Sequence, residues 1–297
     1  MSERMTRMQV PIEEMTITPG SACQGCGAAL VSRLVFKALG PNVIRHSIPC
    51  CPDSVTKTPG VNSVFEAGGS ALTGTARALK ALGREDVIPV GFFGDGGVYD
   101  ISFQSLSAAA ERNENIIVVC KDNEAYMNTG NQRSGASPKY SETSTTPVGP
   151  ESRGKATPKK NIPAIFAAHG VPYIAITSIA FPEDLIAKIN YAKKVKGFRM
   201  IIVQSPCPVG WRFDPSKTIE VARTGVQTGV WPLYEIIDGS KFRLTYKPRE
   251  LKPVSEYLKG QGRFRHMTDA EVAEIQERTT RNWEKLLKAD EMGQVIL

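Results

Sequence analysis

The hydrophobic pattern of this chain alternates between short unbroken apolar runs and amphipathic stretches. Four segments read as strands: Val87–Phe93, Ile116–Cys120, Tyr173–Thr177 and Met200–Gln204. Their side chains are mostly apolar without polar alternation, as expected of strands covered on both faces. Asn42–Arg45 is a shorter candidate. Helical spacing begins near Ala28, with Leu30, Leu34, Val35 and Ala38 on one face and Gly40 as the stop. A second helix opens at Gly68-Gly69 and runs through Ala76, Leu79 and Leu82 to Gly83. A third follows Asp100, a good N-cap residue, and buries Phe103, Leu106 and Ala110. Further helices are predicted near 163–169 and over 182–195, and Thr268 with Glu271 forms a capping box for a last one containing Ile275, Trp283 and Leu287.

Repeated strand–helix alternation predicts an α/β fold, a mostly parallel sheet with helices on both faces. Ligands in such folds sit at the carboxyl ends of the strands. Residues 1–210 read as one domain and 211–297 as an irregular C-terminal extension, with an extended arm over residues 1–20. Between the alternating halves, residues 129–162 are polar and basic (Arg133, Lys139, Arg153, Lys155, Lys159 and Lys160 against Glu142 and Glu151). A loop this long is either functional or a solvated segment lying against another subunit.

Composition narrows the class only a little. The 297 residues, 41% hydrophobic and 23% charged, suffice for one substantial core plus an appendage. No run of 18 apolar residues suggests a membrane span, and the first twenty residues lack a signal-peptide core, so a cytoplasmic protein is expected. The net charge of +7 is spread along the chain without a nucleic-acid motif. It suits an acidic protein partner or a phosphorylated small molecule.

The chemistry concentrates between Gly94 and Gly130. Gly94-Asp95-Gly96-Gly97 leaves one apolar run, and Asp122-Asn123-Glu124-Ala125 leaves the next. The glycines let the backbone approach phosphate oxygens, and Asp95 offers a hard oxygen ligand suited to Mg²⁺. The Asn123 amide oxygen and the carbonyl two residues later, at Ala125, can complete the set. The 26 residues between Gly96 and Asn123 suffice for one helix and one returning strand. This is a cradle for a diphosphate held through a metal.

The six cysteines are too sparse for a disulfide scaffold and point to metal or redox chemistry. Cys23-x-x-Cys26 presents two thiolates from a tight turn, in which Gly25 and Gly27 give room. Cys51 follows after 24 intervening residues and Cys207 after a further 155. Four such thiolates suit a [4Fe–4S] cluster, a structural zinc or, for the first pair, a redox disulfide. Cys120, inside an apolar run, reads as core. His46, His169 and His266 show no ligand spacing.

Together these motifs resemble the thiamin diphosphate signature. The segment Glu124-Ala-Tyr-Met-Asn-Thr-Gly130, continuing to Gln132, resembles the thiamin-binding β subunit of the 2-oxoacid:ferredoxin oxidoreductases, especially the pyruvate branch. The likeness runs from Cys23 to about Trp211 and includes Asn62-Ser-Val-Phe-Glu66 and Cys207-Pro-Val-Gly-Trp211. It implies that Asp95, Asn123 and the Ala125 carbonyl hold Mg²⁺. It also implies that Asn128 lies close to the reacting thiazolium and that Gly27, Glu66, Gly94, Gly96, Gly97 and Thr129 border the cofactor.

The same resemblance favours the cluster on Cys23, Cys26, Cys51 and Cys207. It prefers Cys51, 18 residues before Gly69, to Cys50. The implied reaction is oxidative decarboxylation of a 2-oxo acid, pyruvate first, with oxalate, 2-oxoglutarate or a branched acid as alternatives. Electrons would pass to ferredoxin, with coenzyme A as acyl acceptor and possible contact for the basic loop. The glutamate that activates the cofactor is expected on a partner chain. The implied assembly is a dimer of heteromers with a pyrimidine-binding α subunit and γ and δ subunits, the C-terminal extension packing on a partner. Asp122 departs from the signature, which usually has asparagine there. A non-redox thiamin enzyme subunit with structural zinc and a non-catalytic assembly subunit are the rival classes.

Overall fold

The structure is a computed structural model that describes residues 10–11, 13–17, 20–51 and 55–296. Much of the arm expected over residues 1–20 lies outside the described residues, as does Pro52. The main sheet has eight strands: β1 (Val43–Ser47), β2 (Gly60–Asn62), β3 (Ile88–Gly94), β4 (Ile116–Asp122), β5 (Tyr173–Ser178), β6 (Phe198–Gln204), β7 (Tyr234–Ile237) and β8 (Lys241–Leu244). Their order across the sheet is β8-β7-β5-β6-β4-β3-β1-β2. The six strands from β5 to β2 are parallel, and the β7–β8 hairpin adds antiparallel to the outer edge of β5. This is the expected α/β architecture, a mostly parallel mixed sheet.

Helices α1 (Gly27–Leu39), α2 (Gly68–Ala81), α3 (Phe103–Glu111), α4 (Ile162–Ala167) and α5 (Pro182–Lys194) cover its two faces. Along β4, Ile117 and Val119 join the core under α1 and α5, while Ile116, Val118 and Cys120 join the core under α2 and α3. That two-sided burial explains why the strand reads as an unbroken apolar run. Cys120 is a core residue, as expected.

Residues beyond 210 are more regular than their pattern suggests. They contribute the β7–β8 hairpin and the helices α7 (Thr218–Gln227), α8 (Val254–Lys259) and α9 (Asp269–Met292), after the single turn α6 (Pro208–Trp211). The capping box at Thr268 and Glu271 is present. A third apolar cluster (Trp211, Val221, Tyr257, Leu258, Phe264, Ile275) lies within this region and packs against Met127 and Tyr140.

Asp100 does not cap the third helix. A π-helical turn over Gly97–Ile101 precedes α3, and Ser102 stands at its N-cap position. The Asp100 carboxylate instead accepts hydrogen bonds from the Gly135 N–H (2.7 Å) and the Tyr126 hydroxyl (3.2 Å) and pairs with Lys160 (3.1 Å). A carboxylate that is sealed by three donors from the following loop is drawn away from its own helix.

Phe36 of α1 stacks on Phe92 of β3 at a centroid distance of 4.4 Å, both rings fully buried. This contact seats the helix whose first turn follows Cys26. Phe36→Ala is expected to destabilise the protein by about 3–5 kcal/mol, with a smaller loss for Phe36→Leu. Urea unfolding of the assembled protein checks this, and equal stability of wild type and Phe36→Ala would contradict it.

Candidate active site

Strands β6, β4, β3 and β1 are neighbours, so their carboxyl ends gather the chain segments that leave them. From β3 comes Asp95, from β4 Asn123, from β1 Cys50 and Cys51, and from β6 Cys207. Gly96 is required by close approach: a Cβ there would fall 2.2 Å from the Tyr126 ring. Gly27 is required likewise, its own Cβ position lying 2.7 Å from the Pro206 carbonyl oxygen, to which its N–H donates at 3.2 Å. That contact sets the start of α1, and with it Cys26, against the end of β6.

One terminal atom of the Asn123 carboxamide lies 2.9 Å from the Ala125 carbonyl oxygen and 2.9 Å from Asp95 Oδ1. Two orientations of the amide are chemically distinct. With the nitrogen inward it donates to both oxygens. With the oxygen inward, three oxygens converge and the outward nitrogen reaches Cys51 Sγ at 3.6 Å. Adjacent ligands of an octahedral Mg²⁺ stand about 3 Å apart, since each metal–oxygen bond is about 2.1 Å. The Asn123 amide atom therefore stands from each of the other two oxygens at the spacing of adjacent ligands on a hard cation.

The surrounding charges are buried and matched. Asp95 accepts from the Ser134 hydroxyl at 2.5 Å, and burial together with the charge of Asp122 pushes its pKa well above the ordinary carboxylate value. Burial also raises Asp122, opposed by Lys159 at 2.8 Å, and Tyr99 donates to the same carboxylate at 2.8 Å. Lys159 thus answers the extra charge that Asp122 brings in place of an asparagine. Burial works to raise Glu124 as well, but Lys159 and Arg263 hold its carboxyl below the usual range. Lys159 and Ser134 both belong to the polar 129–162 stretch, which is pinned across the site.

The cysteines form a second focus. Burial and then the fields of Cys207, Cys26 and Cys50 push Cys51 up to about 12. Burial also raises Cys207, with Cys26 and Cys23 contributing, while its sulfur accepts from the Gly210 N–H at 3.4 Å. The Cys50 thiol instead faces Lys121 at 3.4 Å. Cys23 is exposed, and Cys26 stands at the N-cap of α1.

A shallow cavity of about 50 Å³ joins the two foci. It is lined by Cys50, Cys51, Phe65, Gly94 to Gly97, Asn123 and Ala125 to Thr129. Ligand pockets usually measure about 300 Å³ or more, so this cavity is smaller than a pocket that encloses a ligand. Asn128 and Thr129 are exposed at its rim. Glu66 is exposed and outside the lining, while its neighbour Phe65 is part of it. Sequence reasoning passed over Ser134, Tyr99, Arg263 and the pairing of Lys159, because none carries a local motif.

Comparison with known proteins agrees with this geometry. Residues 44–203 match the family model for the thiamine pyrophosphate enzyme, C-terminal TPP binding domain. The pyruvate synthase subunit PorB of Methanothermobacter thermautotrophicus is 49% identical over 278 residues, covering 91% of this chain and 96% of that protein. The ketoisovalerate oxidoreductase subunit VorB of Pyrococcus abyssi is 39% identical over 300 residues, covering 96% of each. A solved 2-oxoglutarate:ferredoxin oxidoreductase from Magnetococcus marinus shares the fold, with a TM-score of 0.61 at 20% identity over 91% of this chain and 97% of that one. With a family model matched over half of its length and relatives matched over nearly their full length, the chain belongs to the thiamin diphosphate-binding β subunits of the 2-oxoacid:ferredoxin oxidoreductases.

Proposed function

We propose that this chain supplies the metal-diphosphate half of an active site for oxidative decarboxylation of pyruvate, with electrons leaving through a [4Fe–4S] cluster to ferredoxin. The observation that carries the reading is the Asn123 carboxamide standing 2.9 Å from both Asp95 Oδ1 and the Ala125 carbonyl oxygen at the ends of adjacent strands. Those three would hold Mg²⁺, and Gly96 and Gly97 would let the diphosphate approach the backbone. Thiamin diphosphate, when bound, supplies the nucleophilic carbon and the electron sink for loss of CO₂. Asn128 and Thr129 at the cavity rim would orient the substrate end of the cofactor.

For the second cofactor, a [4Fe–4S] cluster, when bound, supplies a one-electron acceptor within reach of the same cavity. Cys23, Cys26, Cys51 and Cys207 would hold it. Burial and then neighbouring thiols raise Cys51 and Cys207, which suits a centre whose iron supplies positive charge. Among the described residues, no three Cys, His, Asp or Glu side chains stand close enough to share a single metal ion. In a cluster each thiolate binds a different iron, so its four sulfurs need not converge on one ion as tetrahedral zinc requires.

The small cavity supports a site completed by a pyrimidine-binding α subunit, with γ and δ subunits in a cytoplasmic dimer of heteromers. Pyruvate is preferred to a branched 2-oxo acid because the pyruvate synthase relative is the more similar of the two compared. Coenzyme A would accept the acyl group. An assay of the purified complex with a panel of 2-oxo acids and a viologen dye, with and without coenzyme A, tests the assignment. Dye reduction should be fastest with pyruvate and should require coenzyme A; activity confined to oxalate or a branched acid would overturn the substrate.

Two further outcomes are expected. Asp95 has a raised pKa in the metal-free protein, so its neutral form favours the fold at low pH and that contribution is lost as pH rises through the raised value. Mg²⁺ takes the deprotonated form, so binding should release a proton and weaken toward acid, and Asp95→Asn should remove it. Calorimetry in buffers of different ionisation enthalpy checks this, and pH-independent affinity would contradict it. Separately, Cys51→Ser should remove most of the visible iron–sulfur absorbance of the anaerobically purified complex, and Cys50→Ser should leave it. The reverse pattern would assign the ligand to Cys50.

A further inference from the structure

The segment between the two metal-loop ligands is tied to the far end of the chain by buried charges that the proposed chemistry does not use. Glu124 stands between Asn123 and Ala125 with φ +65, a left-handed conformation that is strained for a non-glycine residue. It is fixed there at both carboxylate oxygens. Oε2 pairs with Arg263 Nη2 at 2.6 Å, across 139 residues of sequence, and Oε1 with Lys159 at 3.2 Å. Arg263 is itself buried; its Nε donates to Gln261 Oε1 at 2.9 Å, and its guanidinium lies 3.8 Å from the centroid of the Trp211 ring. The indole N–H of that tryptophan donates to the Asn123 carbonyl at 2.8 Å, and Ser137 donates to the Glu124 carbonyl at 2.6 Å.

These bonds sort the three consecutive carbonyls. Those of Asn123 and Glu124 are taken by side-chain donors, and that of Ala125 is left facing the Asn123 carboxamide, whose same terminal atom lies 2.9 Å from Asp95 Oδ1. The left-handed residue makes this possible by turning the backbone between the two ligands. A buried ion pair contributes little net stability compared with apolar packing, but it fixes a conformation. Here the conformation is that of the metal loop.

Resting on the reading that Asp95, Asn123 and Ala125 hold a divalent cation, we propose that Arg263 is a positioning residue, locking Glu124 and Trp211 so that the loop is preorganised for the metal. The C-terminal segment thereby sets cation affinity without touching the cation. Groups that orient metal ligands typically change affinity by about 10–100-fold when removed.

The test uses the intact complex with thiamin diphosphate and Mn²⁺ as the probe ion, bound Mn²⁺ being counted by electron paramagnetic resonance. Arg263→Met, which keeps an apolar stem over Trp211, and Glu124→Gln should each weaken Mn²⁺ binding by about tenfold or more. The turnover rate at saturating Mn²⁺ should stay within about twofold of wild type, and Arg263→Lys should recover much of the affinity. The double variant should bind no more weakly than the worse single one, because both remove the same bond. Unchanged affinity in assembled variants would overturn the proposal, as would a lost turnover rate that excess Mn²⁺ does not restore. If Arg263→Met does not assemble, Glu124→Gln carries the same two outcomes. Failure of the wild type to bind Mn²⁺ would overturn the underlying reading, and it is seen before any variant is compared.

Discussion

The Asn123 carboxamide stands 2.9 Å from both Asp95 Oδ1 and the Ala125 carbonyl where two neighbouring parallel strands end, and much of the surrounding structure can be understood as the means of keeping these groups there. Parallel pairing of β3 with β4 brings Asp95 and Asn123 side by side, because both strands end at the same edge of the sheet. Acceptor oxygens repel one another, and burial strengthens that repulsion. Burial and the charge of Asp122 raise the Asp95 carboxyl well above its ordinary value. Fixed donors answer it from several directions: Ser134 on Asp95, Lys159 and Tyr99 on Asp122, Lys159 and Arg263 on Glu124.

The same edge explains why the cysteines lie beside this point. The segments leaving β1 and β6 bring Cys51 and Cys207 to the strand ends that flank β3 and β4, and the Gly27–Pro206 contact adds the Cys23–Cys26 turn. Cys51, Asp95, Asn123 and Ala125 line one cavity wall. In the proposed reaction, electrons released at the cofactor would have a short path to their acceptor. The wall is shallow, in keeping with an active site that two chains build together.

Legibility in the sequence followed locality. The unit from Val87 to Asp122 could be read because two-sided burial leaves unbroken apolar runs and close backbone approach leaves glycines. Asp95, Asn123 and the cysteines could be read because their chemistry is tied to spacing. Asp100 misled, since an aspartate before a helix looks like a cap whether or not a loop far along the chain claims its carboxylate. The β7–β8 hairpin was missed because strands of four residues are too short to show alternation. Arg263 and Lys159 were illegible as partners of Glu124. Ion pairs across long sequence separation leave no periodic trace, and a basic loop looks the same whether it is solvated or pinned.

The direct measurement is a high-resolution structure of the intact complex prepared with thiamin diphosphate and Mn²⁺, with the ion located by its anomalous signal. The account predicts a peak bonded to Asp95 Oδ1, Asn123 Oδ1 and the Ala125 carbonyl, with the Asn123 nitrogen turned toward Cys51. A structure with bound cofactor in which the Asn123 nitrogen instead donates to Asp95 and Ala125, and no ion lies between them, would contradict it.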